Sequence, residues 1–257
     1  MLITADRVIY AGLLGRPQTR EFGSITIYVS LGSPFQIQVG DSPWESVDMR
    51  VVQPGTSHQI TTVDRMIGSL LIEPETLDSD RLPAFLQPEN GGCDFPAMRA
   101  QLRASFLALA EGRVQVDAVR MQSDLFFFGE TLPLRHLEPR MATVVNRIRN
   151  QPCDCVSADD FAGQVDLSFS RFLHLFKTEV GTTFRRFRAW KRARSFLSYV
   201  NTELNLTDIA LETGYPDSSH FSHTVRRYWG LTPRDIIAGS RQLSVINDGS
   251  AYRGAGY

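Results

Sequence analysis

The feature that most constrains this chain is an internal repeat in its last hundred residues. Asp160-Phe161-Ala162 recurs as Asp208-Ile209-Ala210 at an offset of 48, whereas Phe172 recurs as Phe221, Gly181 as Gly230 and Thr183 as Thr232 at an offset of 49. The one-residue change falls between the alanine and the second half of each copy, where a turn belongs. Each copy reads as a short helix, a turn, a second helix and a glycine that stops it.

In the first copy, Ser157 is a good cap for a helix over Ala158–Gln164. The small Ala162 lets a second helix cross closely. Ser168 can cap that second helix, expected over Phe169–Val180, with Phe172, Leu175 and Phe176 buried by their i, i+3, i+4 spacing. Ser170, Arg171, His174 and Lys177 then lie away from the core, a short polar and basic face of the kind a major-groove reader needs. In the second copy Thr207 is expected to cap a helix over Asp208–Thr213, ended by Gly214. Asp217 or Ser218 caps the next helix, which places Phe221, Val225 and Trp229 inward and Ser219, His220, Ser222, His223 and Arg226–Arg227 outward. Between the copies, Phe184, Phe187, Trp190–Lys191, Arg194 and Leu197–Ser198 mark a helical stripe with Arg185, Arg186, Arg188 and Arg192 around it. A helix of about 18–20 residues spans roughly 27–30 Å, close to the roughly 34 Å between successive major grooves on one face of B-DNA. The arginines of this helix are expected to hold phosphates.

The segments SADDFAGQVDLSFSRFLHLFKTEVGTTFRRFRAWKRARSFL and LTDIALETGYPDSSHFSHTVRRYWGLTPRD resemble the AraC/XylS family of bacterial regulators. The resemblance implies a double helix-turn-helix domain, one chain contacting two grooves of double-stranded DNA, an activator rather than a repressor, and RNA polymerase as a partner. It makes Ser170, Arg171 and His174 base readers in the first unit, and Ser219, His220 and His223 in the second. The candidate DNA-binding set is Ser168, Ser170, Arg171, His174, Lys177, Ser218, Ser219, His220, His223 and Arg226. Two positions depart from the family pattern. Val225 stands where a larger aromatic is usual, and His223 where Arg is common, so the second unit reads DNA more weakly or reads a different base.

The upstream half reads differently. Ile25, Ile27 and Val29 alternate with Thr26 and Tyr28, and Phe35, Ile37 and Val39 alternate with glutamines, the period of half-buried strands. Further strands are expected over Ser46–Val52 and Arg65–Ile72, with turns at Gly32-Ser33-Pro34, Asp41-Ser42-Pro43 and Pro54-Gly55. From Pro96 the period becomes helical through Ala110, and a second helix is expected over Val116–Phe127. The fold class expected is α+β with two domains: a cupin-like antiparallel β-barrel with following helices over 1–130, a linker over 131–140, an all-α double helix-turn-helix domain over 141–241, and a mobile tail over 242–257.

Val51-Val52-Gln53-Pro54-Gly55-Thr56-Ser57-His58 resembles the turn of cupin-type barrels. His58 is the only histidine before His136, so the His cluster of a metal cupin is absent and no metal or other cofactor is expected. In regulators of this family such a domain binds a small-molecule effector or dimerises, and Tyr28, Phe35 and Trp44 are core residues before they are pocket residues. An enzyme of cupin type fused to a DNA-binding domain, and a repressor controlled by protein contact, stay open as alternatives. Residues 1–140 carry 12 Lys and Arg against 17 Asp and Glu, and the rest carry 15 against 11, so the half expected to meet phosphate is the basic one. Cys93, Cys153 and Cys155 form no disulfide framework and are expected as thiols. No apolar run reaches membrane-spanning length and no leader is visible, so no membrane partner and a cytoplasmic location are expected.

Overall fold

The computed structural model describes residues 1–13, 18–64, 66–240 and 245–247. Eight strands come first: β1 (Leu2–Ile3), β2 (Arg7–Leu13), β3 (Ile25–Ser30), β4 (Phe35–Val39), β5 (Glu45–Val47), β6 (Met49–Val52), β7 (His58–Thr61) and β8 (Met66–Ile72). They form two sheets, ordered β6-β3-β8-β2-β1 and β5-β4-β7, with antiparallel pairing throughout. The strand expected over Ser46–Val52 is two strands. The chain changes sheets at Asp48, whose carbonyl accepts from Ser30 N (2.8 Å) and whose carboxylate accepts from Ser30 Oγ (2.6 Å).

The alternation in β3 does not make it half-exposed: all six of its residues are buried. Ile25, Ile27 and Val29 pack against the helices α1 (Pro96–Ala110) and α3 (Ser123–Phe128), through Leu102, Phe106 and Phe127. Tyr28, on the opposite face, joins Phe35, Ile37 and Ile60 in a second cluster between the sheets. Both faces are covered, so the strand carries no solvent side. The helix expected over Val116–Phe127 is broken at Gln122 (φ −136°, ψ 47°) into α2 (Val116–Met121) and α3, which leaves Leu125 exposed. The segment 131–138 is stitched down rather than free. Leu132 is buried, Leu134 bridges Leu77, and Arg135 donates to Leu77 O (2.8 Å), Ser79 Oγ (2.9 Å) and Glu179 O (2.6 Å).

The helical half runs α4 (Pro139–Asn150), α5 (Ala158–Gln164), α6 (Phe169–Val180), α7 (Phe184–Ser195), a 3-10 turn over Phe196–Tyr199, α8 (Leu206–Glu212), α9 (Ser218–Trp229) and α10 (Pro233–Ser240). A last strand, β9 (Ile246–Asn247), pairs parallel to β1. The rest of the segment expected as a tail, 242–244 and 248–257, lies outside the described residues.

The apolar clusters are not divided evenly between the halves. The first helical pair keeps its own core, built from Met141, Val144, Ile148, Phe161, Phe172, Phe176 and Phe184. The second pair does not. Phe196, Ile209, Phe221, Val225 and Tyr228 are continuous with Trp190 and with Phe22, Tyr28 and Phe35 of the sheets. The second unit is therefore built onto the N-terminal sheets.

Candidate nucleic-acid interface

Each helical pair is set by its caps. Ser157 accepts from Asp160 N while the Asp160 carboxylate accepts from Ser157 N, a reciprocal capping box that starts α5. Asn205, not Thr207, caps α8, accepting from Thr207 N (2.9 Å) and Asp208 N (3.0 Å). Asn205 stands at the repeat position of Ser157, at the same offset of 48, and Asn caps as well as Ser does. The turns explain the shift in offset. Leu167 N donates to Ala162 O (2.9 Å) and Tyr215 N to Ala210 O (2.8 Å), both still at 48. Asp166 (φ 53°) and Gly214 (φ 75°) hold the same left-handed position. Pro216 is then the extra residue before the second cap. A side chain at Gly214 would also meet the Cys153 backbone, its Cβ lying 3.1 Å from both Cα and O.

The second helices of the two pairs match in length and in ends. Ser168 accepts from Arg171 N (3.4 Å) to cap α6, and Asp217 accepts from His220 N (2.7 Å) to cap α9. Gly181 (φ 79°) and Gly230 (φ 71°) end them in the left-handed conformation glycine adopts without strain. On α6, Phe172, Phe176 and Val180 are buried, Leu175 is half-buried, and Ser168, Ser170, Arg171, His174 and Lys177 are exposed. On α9, Ser219, His220, His223 and Arg226 are exposed and Ser218 and Ser222 half-buried. The inward residue near its end is Tyr228. Trp229 is half-buried, with its indole N–H on Ala193 O (3.1 Å). The candidate set thus falls on the outward faces of two helices, with Ser218 partly covered.

The helix between the pairs behaves differently from expectation. It is α7 of 12 residues followed by a 3-10 turn of 4, shorter than the 18–20 α-helical residues expected. Most of its cations are committed within the protein. Arg188 donates to Val156 O (2.5 Å) and Asp154 O (2.7 Å), and Arg192 to Pro152 O (3.1 Å). These bonds pin the loop that carries Cys153 and Cys155, both free thiols. Burial pushes the Cys153 thiol up to about 11, so at neutral pH it is a packing group and not a nucleophile. Arg185 and Arg186 remain exposed.

The middle of α7 faces the sheets. Lys191 and Arg194 are each 1% exposed, as is Glu73 at the end of β8. Lys191 Nζ pairs with Glu73 and with Glu75 (2.6 Å), Arg194 Nε with Glu73 (2.7 Å), and the Trp190 indole donates to Glu73 (2.9 Å). Arg194 also donates to Thr4 O (2.5 Å) and Arg7 O (3.1 Å). Burial alone would raise the Glu73 carboxyl; Lys191 and Arg194 outweigh it and hold the group below the usual range. Nearby, Glu21 N donates to Tyr228 O (3.3 Å) and the Glu21 carboxylate pairs with Arg227 (3.2 Å). The backbone of 18–19 lies against Gly230, and Gly23 sits so close to Trp190 that a Cβ there would overlap the ring. The N-terminal half thus grips the spacer helix and the far end of α9. Its hold on the first pair is through Arg135 and Glu138, which bond Glu179. The sequence could not show this seam, because acidic Glu73 and Glu75 lie more than a hundred residues from their partners.

Comparison with known proteins decides what these paired helices are. A family model described as "Helix-turn-helix domain" matches residues 161–238. The transcriptional activator VirF of Yersinia enterocolitica is 29% identical over 145 residues, 54% of this chain and 49% of that protein. The transcriptional activator RhaS of Escherichia coli is 32% identical over 109 residues, 41% of this chain and 38% of that one. The C-terminal part of this chain is thus similar to a helix-turn-helix domain, and the relatives it matches are transcriptional activators. The chain spans about half the length, or less, of these curated relatives. Over most of the chain the fold is similar to that of ToxT from Vibrio cholerae. One ToxT crystal structure covers 93% of this chain and 100% of its own with a TM-score of 0.57 at 9% identity. A second, described as unsaturated fatty acid bound, covers 92% and 96% with a TM-score of 0.56 at 11% identity.

The cupin-type turn carries a packing histidine. His58 is 2% exposed; its Nδ1 lies 2.9 Å from Thr56 O and its Nε2 2.9 Å from Tyr28 Oη. A carbonyl can only accept, so Nδ1 carries the proton and Nε2 accepts from the phenol. Both ring nitrogens are engaged, leaving neither for a metal. Burial holds His58 neutral, its pKa lowered to about 4. Among the described residues no group of three or more His, Cys, Asp or Glu could hold a metal ion, and no helix is long and apolar enough to cross a membrane.

Proposed function

We propose that this chain is a sequence-specific regulator of transcription that places α6 and α9 in successive major grooves of double-stranded DNA. The observation that carries the reading is the pair of equal-length helices, each with a buried aromatic anchor and an outward face of serine, histidine and a cation. Ser170, Arg171, His174, Ser219, His220 and His223 face base edges. Lys177, Arg226 and the exposed Arg185 and Arg186 face phosphate, with the Ser168-capped N-terminus of α6 adding partial positive charge. The similarity to activators supports activation, with RNA polymerase as the downstream partner.

The N-terminal sheets act on DNA binding through the seam. A cavity of about 310 Å³ opens there between Phe22, Gly23, Pro74, Arg135, Phe187 and Trp190, at the lower end of the volume a small ligand needs. This is the site we assign to a small-molecule effector; a second copy of the chain at the N-terminal half is the alternative input. The direct test is binding of an operator by Arg171→Ala and His174→Ala. Each should lose about 1–3 kcal/mol of specific affinity with an unchanged melting temperature, since both side chains are exposed. Two variants that bind as tightly as the parent would show the assigned face to be wrong.

A further inference from the structure

The two recognition helices are alike where it matters for reading. At the offset of 49, Ser170 falls on Ser219, His174 on His223 and Lys177 on Arg226, while the buried anchor Phe172 falls on Phe221. The structure makes this a spatial equivalence. Both helices have 12 residues, both are capped at the preceding residue by a side-chain oxygen, and both end at a left-handed glycine. Ser170, His174 and Lys177 are exposed on one, and Ser219, His223 and Arg226 on the other. Positions i, i+4 and i+7 share one helical face. Over seven residues they span about 10.5 Å, or about three base-pair steps at roughly 3.4 Å each. The outward neighbours differ between the units, Arg171 on one against His220 on the other, both exposed.

Resting on the DNA-binding reading above, we propose that both helices read the same short base pattern. One chain then recognises two like half-sites centred about one helical turn apart, about 10–10.5 bp. An exposed histidine offers a ring N–H donor, and the major-groove acceptor common to guanine and adenine is N7. The shared element is therefore a purine under His174 and again under His223. Serine accepts or donates and constrains its base less. Lys177 and Arg226 supply the same charge to the phosphates at the matching place. The half-sites diverge at the position facing Arg171 in one and His220 in the other.

The test is selection of bound duplexes from a random pool by the full chain, followed by the same selection with His174→Asn and His223→Asn. Asparagine pairs with adenine in the major groove. The parent should enrich two copies of one pattern with a purine at matching places. Each variant should shift that purine to adenine in one copy only, at the same place within it. Two unrelated half-sites, or asparagine shifts at non-matching places, would overturn the shared pattern while leaving the DNA-binding reading standing. A chain that enriches no sequence would overturn that reading and the shared pattern with it.

Discussion

Removing the Glu73 carboxylate while keeping its shape tests the seam most sharply. In Glu73→Gln, Lys191 and Arg194 stay buried at 1% exposure with Glu75 the remaining carboxylate against Lys191. Breaking a buried pair by removing one partner costs about 3–5 kcal/mol, because the other charge is left without compensation. A domain has only about 5–15 kcal/mol in total, so the loss should be plain in urea denaturation. The second helix-turn-helix unit shares its core with the sheets. Trp229 in that unit and Trp190 on the helix packed against it should therefore report the loss first. The double variant Glu73→Gln, Lys191→Met removes both charges of the closest pair and should recover more than about 1 kcal/mol relative to the sum of the single effects. Because Glu73 is held below its usual value of 4.5, its stabilisation is complete above that pH. It is lost as pH falls through the folded value, so parent and variant should converge in acid. A loss under about 1 kcal/mol at neutral pH, or strictly additive single effects, would refute the reasoning.

Other consequences follow from single side chains. His58 is neutral in the fold down to about pH 4, against an ordinary 6.5. The unfolded chain alone takes up that proton between those values, so stability should fall by about 3 kcal/mol as pH drops through the window. In His58→Gln the pH–stability curve should flatten there; an unchanged slope would exclude His58 as its source. Gly214→Ala should cost more than about 2 kcal/mol, from the left-handed backbone and the nearby Cys153 backbone. Asp166→Gly at the matching turn should gain up to about 1 kcal/mol, and calorimetry distinguishes the two. Arg188→Met should lower the melting temperature without altering the salt dependence of DNA binding, because Arg188 is bonded to carbonyls. Arg185→Ala should do the reverse, reducing the salt slope by about 1.

The parts legible in the sequence are those with local causes. Helix α6 was readable to its ends, because Ser168, the Phe172–Phe176 spacing and Gly181 lie within one short window. So was α5, with its capping box. The outward face followed from the same spacing. What was not legible depends on distant partners. β1 and β2 carry no alternation that marks them, and they become strands by pairing with β8 and with each other. The Arg188, Arg192 and Arg194 side chains look like a phosphate-binding stripe when only the helix is considered. Their carbonyl and carboxylate partners come from the 152–156 loop and from Glu73, which no local pattern announces.

The claim at the centre is that two helices of one chain enter successive major grooves. Methylation interference at guanine N7 on a selected site tests it directly, since N7 lies on the major-groove edge. Two clusters of interfering guanines should appear on one face of the duplex, centred about 10–10.5 bp apart. His174→Ala should erase contacts in one cluster and His223→Ala contacts in the other. A single cluster, or interference confined to adenine N3 in the minor groove, would contradict it.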